Sequence, residues 1–417
     1  MSKLYIEGGR RLTGEISLQG AKNSALPILA AALLISGTTV LHNCPNLSDV
    51  KAALKILSCL GCRCKFEKDT VYVDASSVTC NSVPVGLMRE MRSSVVFLGA
   101  ILSRCGSATV SAPGGCELGP RPIDLHLKAI KKLGYNVSEI GGYINCRQEK
   151  RYESVDITLD FPSVGATENI ILVSCLSTGR VVLHNAAKEP EICDLANFIN
   201  KAGGDVRGAG SDRIEIYGVK ELHPIEHSVI PDRIVAATFM SAAAVTGGDV
   251  LINNVNCRHI CAITDAFVEM GCDIKQSANS LRIKSDGRLR CIKSTRSSVY
   301  PGFPTDAGPL LVASLIKANG TSVFIENIFE NRFNYISELK LLGADIKVFG
   351  KIAVVEGVNK LHGANLRCTD LRGGAAAVVA ALAAEGESVI EQICHIERGY
   401  ESIEQAFAEL SAKIKKE

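Results

Sequence analysis

Six stretches of this chain are apolar on nearly every side of a helix: residues 25–35, 95–102, 170–176, 234–245, 310–316 and 375–384. A helix without a polar face is buried. Each stretch runs into a glycine turn and a β-branched run. The first three are Gly37-Thr-Thr-Val-Leu, Gly106-Ser-Ala-Thr-Val and Gly179-Arg-Val-Val-Leu, and the later three are Gly247-Gly-Asp-Val-Leu, Gly320-Thr-Ser-Val-Phe and Gly386-Glu-Ser-Val-Ile. Glycine at a helix C-terminus takes the left-handed cap conformation, and β-branched residues then suit a strand. A second mark keeps the same period. Leu60-Gly-Cys-Arg-Cys64 recurs in sense as Leu133-Gly-Tyr-Asn-Val137, Ala202-Gly-Gly-Asp-Val206, Met270-Gly-Cys-Asp-Ile274 and Leu342-Gly-Ala-Asp-Ile346, with a worn copy at Leu410-Ser-Ala-Lys-Ile414. Successive copies lie about 70 residues apart, longer than common solenoid units, so each predicts a small α/β unit. Its order is apolar helix, strand, amphipathic helix, Leu-Gly turn, strand, strand. The expectation is an α/β protein of six repeats, three per globule.

Composition narrows the class. The 417 residues are enough for two sizeable cores. The chain is 47% hydrophobic with no tryptophan, so Ala, Val, Ile and Leu build the interior. A net charge of +2 gives no whole-molecule field for nucleic acid or a membrane surface. The apolar runs are too short to span a bilayer, and the N-terminal residues lack the apolar core of a signal peptide. Sixteen cysteines without an export signal read as reduced thiols in a cytoplasmic protein. Neither Cys62 with Cys64 nor Cys257 with Cys261 has the spacing of a zinc site, so no metal is expected.

The polar residues ahead of the buried helices carry the chemistry. Lys22-Asn23 precedes the first and Arg92-Ser93 the second. Ser163-Val-Gly-Ala-Thr167 opens the third, Asp232-Arg233 the fourth, Thr305-Asp306 the fifth and Asp370-Leu-Arg372 the sixth. Helix N-termini present unpaired N–H groups and a partial positive charge. Ser163, Thr305 and Asp370 also fit plain helix caps. Caps do not explain Lys22, Arg92 and Arg372, because cations at that end oppose the helix dipole. An anionic ligand in a shared cleft would resolve the conflict. Arg332 and Arg398 sit on matching strand-to-helix loops of repeats five and six, each beside a glutamate.

One loop stands apart. Residues 111–126 read Ser-Ala-Pro-Gly-Gly-Cys-Glu-Leu-Gly-Pro-Arg-Pro-Ile-Asp-Leu-His, placing Cys116 among glycines and prolines with Arg121 close behind. Buried structural thiols sit in apolar helices or strands. A thiol on such a loop fits a reactive group over a site held by the scaffold.

These marks make the chain similar to the enolpyruvyl transferases along its whole length. They are Gly20-Ala-Lys-Asn-Ser24, Pro113-Gly-Gly-Cys-Glu-Leu-Gly-Pro-Arg-Pro-Ile-Asp-Leu-His126, Phe161-Pro-Ser-Val-Gly-Ala-Thr167, Pro231-Asp-Arg233, Phe303-Pro-Thr-Asp306, Phe329-Glu-Asn-Arg-Phe333, Thr369-Asp-Leu-Arg372 and His395-Ile-Glu-Arg-Gly-Tyr400. The resemblance implies a two-globule inside-out α/β barrel. The first globule would span residues 22–229; the second would take 1–21 plus 230–417.

The implied reaction moves the enolpyruvyl group of phosphoenolpyruvate to the 3′-hydroxyl of UDP-N-acetylglucosamine and releases phosphate, opening peptidoglycan synthesis. No cofactor is implied, the partners are these two small molecules, and a monomer is expected. The resemblance casts Cys116 as proton donor, covalent-adduct site and fosfomycin target, and Asp306 as the base. Lys22, Arg121 and Arg398 would hold the phosphate, with Lys22 and Arg398 counted as catalytic; Arg332 and Arg372 would hold the carboxylate or close the cleft, and Asn23 would orient the tetrahedral centre. The UDP-sugar would lie along Arg92, Arg121, Pro122, Ile123, Asp124, Leu125, Ser163, Val164, Gly165, Asp306 and Ile328. Some relatives have a lysine where this chain has Phe161, so Phe161 is not counted as a binder. Two other readings stay open here. A 5-enolpyruvylshikimate-3-phosphate synthase would share the cations without the Pro-Gly-Gly-Cys loop, and a non-catalytic UDP-sugar-binding regulator would have no use for Cys116 or Asp306.

Overall fold

The computed structural model describes residues 2–91, 93–111 and 123–417. The fold is mixed α/β. Its described residues fall into two compact units, one holding residues 2–19 and Pro231–Glu417, the other residues 20–111 and 123–230. Each has its own hydrophobic core.

In the unit that begins at Gly20, the first succession of elements is helix Lys22–Ala32, strand Thr38–His42, helix Ser48–Cys59, and strands Arg63–Glu67 and Thr70–Asp74. The same order follows the helices Val96–Cys105 and Val164–Ser174. The other unit starts its successions at helices Arg233–Val245, Gly308–Leu315 and Leu371–Ala383. In the last of these, strand Lys413–Lys416 pairs with the N-terminal strand Leu4–Glu7. All residues of Arg233–Val245 and of Gly308–Leu315 are buried, as expected for helices built from Ala, Leu, Ile and Val without a polar face. The second helix of each succession is amphipathic. In Ser48–Cys59, Asp49, Val50, Ala52, Ala53, Ile56 and Leu57 face inward.

Among the described residues, five of the six sheets that hold a strand after a buried helix share one pairing rule. That strand runs antiparallel to a hairpin strand on one side and parallel to a strand from elsewhere in the chain on the other. In the sixth, Ser107–Ser111 has its antiparallel neighbour but only a single parallel bridge, Thr109 to Ser82. Thr38–His42 pairs antiparallel with Thr70–Asp74 and parallel with Glu226–Ser228. Asp249–Asn253 pairs antiparallel with Ser280–Lys284 and parallel with Thr13–Ser17. Glu387–Glu391 does the same with Leu4–Glu7 and Asn365–Arg367.

The turn glycines divide into two kinds. Of the six expected to cap helices, Gly106 is the one that sits at the cap itself, in the left-handed region at φ 72°. At Gly179 the reason for glycine is space, since a Cβ there would lie 2.4 Å from the carbonyl oxygen of Tyr152. In the Leu-Gly turns the backbone is left-handed at Gly61, Gly134, Gly203, Gly271 and Gly343. The worn copy keeps that conformation without glycine, with Ser411 at φ 68°.

Candidate active site

In the unit that begins at Gly20, Lys22 and Asn23 open the first buried helix. Lys22 Nζ lies 3.2 Å from Oδ2 of Asp49, which is 5% exposed and stands in the first turn of the next helix. Pro27 lacks an N–H, so the Asn23 carbonyl has no helical donor. The next residue, Ser24, is fully buried and donates to Asp194 Oδ2. The same oxygen accepts from Ile230 N at 3.2 Å, and Asp194 Oδ1 meets His227 Nε2 at 2.9 Å. Ala21 N donates to Ile230 O at 2.7 Å. One buried carboxylate thus ties the beginning of this unit, at Ser24, to its end, at Ile230.

The same unit brings Ile123, Asp124 and Leu125 next to Ser163, Val164 and Gly165. The first three begin helix Asp124–Lys132; Ser163 caps helix Val164–Ser174, its Oγ accepting from Ala166 N at 3.3 Å. The link is His126. Its Nδ1 is 3.0 Å from Asn169 Nδ2, which also donates to Gly165 O at 3.2 Å, while Asn169 Oδ1 accepts from Gly99 N at 2.7 Å. A Cβ at Gly165 would come within 3.1 Å of the imidazole. Burial pushes the His126 pKa down to about 4, against a smaller opposing effect of Asp124, so the ring is neutral. Phe161 is 45% exposed.

In the other unit, Asp306 receives two guanidiniums. Arg332 Nη2 donates to Oδ1 at 2.7 Å and to the Thr305 carbonyl at 2.9 Å. Arg372 donates from Nε and Nη2 to Oδ2 at 3.2 and 3.1 Å. The side chains of Arg332 and Arg372 are 2% and 3% exposed, that of Asp306 29%. Among the described residues, Arg332 Nε and Arg372 Nη1 are buried and have no hydrogen-bond partner. Orphaned charged donors are costly, and here two guanidiniums that share one carboxylate through other nitrogens each keep one such donor. The Arg332 guanidinium also stands over the Phe329 ring, 5.4 Å from its centroid. Arg398 is half-buried at the end of the short helix Ile393–Arg398, two residues before Tyr400, whose hydroxyl meets Thr238 Oγ1 at 2.7 Å. Ile328 is half-buried on the loop before Arg332.

The helix caps refine the dipole argument. Asp232 accepts from Ile234 N and Val235 N, and Asp370 from Arg372 N and Gly373 N. In these two helices an internal carboxylate meets the N–H groups, so Arg372 does not depend on a ligand there. Thr305 is no cap: its hydroxyl donates to Glu326 Oε2 at 2.9 Å. Cys116, Arg121, Pro122 and Arg92 lie outside the described residues.

Sequence reasoning passed over Asp49, Asp194, Asn169 and Glu326. Only Glu326 carried a local signal. Along Ser322, Phe324 and Glu326 every second residue is buried, which puts an acid in an inward-facing place. Among the described residues, no group of three His, Cys, Asp or Glu could hold a metal ion, and no helix is long and apolar enough to cross a membrane.

The family model described as EPSP synthase (3-phosphoshikimate 1-carboxyvinyltransferase) matches residues 6–407. A UDP-N-acetylglucosamine 1-carboxyvinyltransferase 2 from Caldanaerobacter subterraneus subsp. tengcongensis is 48% identical over 414 residues, 99% of each chain. A UDP-N-acetylglucosamine 1-carboxyvinyltransferase from Thermotoga maritima is 44% identical over 99% of this chain and 98% of its own. Among solved structures, the enolpyruvyl transferase NikO from Streptomyces tendae superposes with a TM-score of 0.90 at 24% identity, covering 100% of this chain and 98% of its own. The EPSP synthase from Acinetobacter baumannii gives 0.77 at 18% identity, covering all of both chains. With a family match along nearly all its length and curated relatives near half identity, the chain belongs to the EPSP synthase family of carboxyvinyl (enolpyruvyl) transferases.

Proposed function

We propose that this protein transfers the enolpyruvyl group of phosphoenolpyruvate to the 3′-hydroxyl of UDP-N-acetylglucosamine, releasing phosphate, as the first committed step of peptidoglycan synthesis. The full-length identity with relatives named for that sugar nucleotide supports the acceptor. The observation that carries the chemistry is the pair of buried guanidiniums on Asp306, each with an unmatched donor. They fit a carboxylate-bearing substrate placed against a basic oxygen.

In this reading the Cys116 thiol gives its proton to the methylene carbon of phosphoenolpyruvate. A free thiol has a pKa of about 8.5 and is mostly protonated at neutral pH. The adjacent carbon becomes oxocarbenium-like. Asp306 takes the proton of the 3′-hydroxyl as that oxygen bonds to the cationic carbon. The tetrahedral adduct then returns a methyl proton to the Cys116 thiolate and breaks its carbon–oxygen bond to phosphate, restoring the double bond; the proton held by Asp306 leaves with the phosphate. Lys22, Arg121 and Arg398 hold the phosphate, Arg332 and Arg372 the carboxylate, and Asn23 the tetrahedral centre. Arg92, the 121–125 segment, Ser163, Val164, Gly165 and Ile328 bind the UDP-sugar. The scaffold is read as two globules of three units each, an inside-out α/β barrel. The order of elements after each buried helix supports that architecture.

The test is phosphate release from phosphoenolpyruvate with UDP-N-acetylglucosamine, with and without fosfomycin, beside a parallel reaction with shikimate 3-phosphate. Fosfomycin-sensitive release with the sugar nucleotide alone is expected. Turnover of shikimate 3-phosphate instead, or no release with either acceptor, rejects the reading.

A further inference from the structure

We propose that Glu326 is a positioning residue for the Asp306–Arg332 pair and for the Ile328 backbone; this rests on the functional reading above. Glu326 is 0% exposed. Its Oε1 accepts from Ser297 Oγ at 2.8 Å, Ile328 N at 2.7 Å and Phe329 N at 3.1 Å, and its Oε2 from Thr305 Oγ1 at 2.9 Å. No cation is among these partners, so the carboxylate's desolvation is offset by four neutral donors alone.

Three of those donors come from the two segments that meet at the candidate base. Thr305 precedes Asp306, and its carbonyl accepts from Arg332 Nη2, the same nitrogen that bonds Asp306 Oδ1. Phe329 opens the turn that leads to Arg332, and its ring lies under the Arg332 guanidinium. The contacts close a ring: Glu326 to Thr305, Thr305 to Arg332, and the Arg332 loop back to Glu326 through Phe329 N. Ser297 braces the ring from outside, its Oγ also accepting from Asn327 N at 2.8 Å. The ring fixes the base relative to its guanidinium and aims the Ile328 backbone. A catalytic group displaced by about 1 Å can lose about 10²-fold in rate. Such a site needs its supporting contacts locked.

Glu326→Ala removes four bonds at once and can fail to fold, so Thr305→Val carries the test. It keeps the side-chain shape and removes only the hydroxyl that joins Glu326 to the Asp306 turn. The expected result is a kcat lower by about 10-fold to 10²-fold, with KM for both substrates within about threefold of the parent and a displaced acid limb of the pH–rate profile. Thr305→Ser restores the hydroxyl and brings kcat back. A Thr305→Val protein with parental kcat and pH profile overturns the positioning role, as does a loss of kcat that Thr305→Ser does not repair. A parental protein with no enolpyruvyl transfer overturns the functional reading itself, and this inference with it.

Discussion

Arg372 turns two of its nitrogens, Nε and Nη2, to a single oxygen of Asp306. Burial by itself works against the charge of Arg372. The carboxylate of Asp306, with Tyr400 and Asp232 nearby, more than offsets that, and the pKa of Arg372 lies above its ordinary value. Asp306 therefore has two duties, holding buried cations in place and, in the proposed chemistry, accepting a proton.

Asp306→Ala separates these duties. Removing the carboxylate leaves Arg332 and Arg372 buried without their partner. The expected cost is about 2–3 kcal/mol, below that of a fully enclosed pair because Asp306 is open to solvent. Turnover should fall by about 10²–10⁴-fold, the range for a lost general base. Calorimetric affinity for UDP-N-acetylglucosamine should change far less. Equal losses of turnover and affinity would reduce Asp306 to a binding residue.

Ser411→Gly should stabilise the protein by about 1 kcal/mol, the cost of holding a residue with a Cβ in the left-handed region. Ser411 is exposed, and its hydroxyl makes only a 3.5 Å contact with Thr13 O, so little is given up. Denaturant unfolding checks this, and a variant no more stable than the parent refutes it.

His126 gives the protein an acid-sensitive joint. Its folded pKa of about 4 lies below the ordinary 6.5, because burial opposes the charge. Between those values the unfolded chain binds a proton that the native chain does not, so stability rises with pH across the window. Acidification from above 6.5 to 4 should remove on the order of 3 kcal/mol. In His126→Gln that part of the slope disappears. Urea unfolding at several pH values within the window compares the two, and parallel slopes would exclude His126 as the cause.

Cys116→Asp should keep turnover and lose sensitivity to fosfomycin. A carboxylic acid can still deliver a proton but is a poor nucleophile toward an epoxide. Burial pushes Cys62, Cys175 and Cys368 up to about 12, so these thiols offer almost no thiolate to compete. Intact-mass measurement after fosfomycin treatment should show one adduct in the parent and none in the variant. An adduct on the variant would contradict the assignment.

The sequence made the buried helices plain because an all-apolar helix has one destination; the residues ahead of them pointed to Asp306 and Arg372, and the matching strand-to-helix loops pointed to Arg332. It misjudged how those cations are stabilised. Asp370 meets the helix N–H groups and Asp306 takes the guanidinium, a division of labour between residues far apart in the chain. Asp49 and Asp194 were illegible for the same reason, since neither Lys22 nor Ser24 announces its partner. Glu326 was legible in principle through strand alternation, but a single acid at the end of an apolar run reads as a strand terminus. The turn glycines were found, but Gly179 is required for space rather than for a helix cap.

The strand pairing also sets an order of events at the ribosome. Leu4–Glu7 and Thr13–Ser17 emerge before residues 20–230, yet their partners are Glu387–Glu391, Lys413–Lys416 and Asp249–Asn253. Residues 20–230 contain all the partners their own sheets use. That unit can complete its core while the nascent chain is still growing. Thr13–Ser17 waits with a bare edge until Asp249–Asn253 is made, and Leu4–Glu7 until Glu387–Glu391 and Lys413–Lys416 are made; those intervals are when the chain is most open to mispairing.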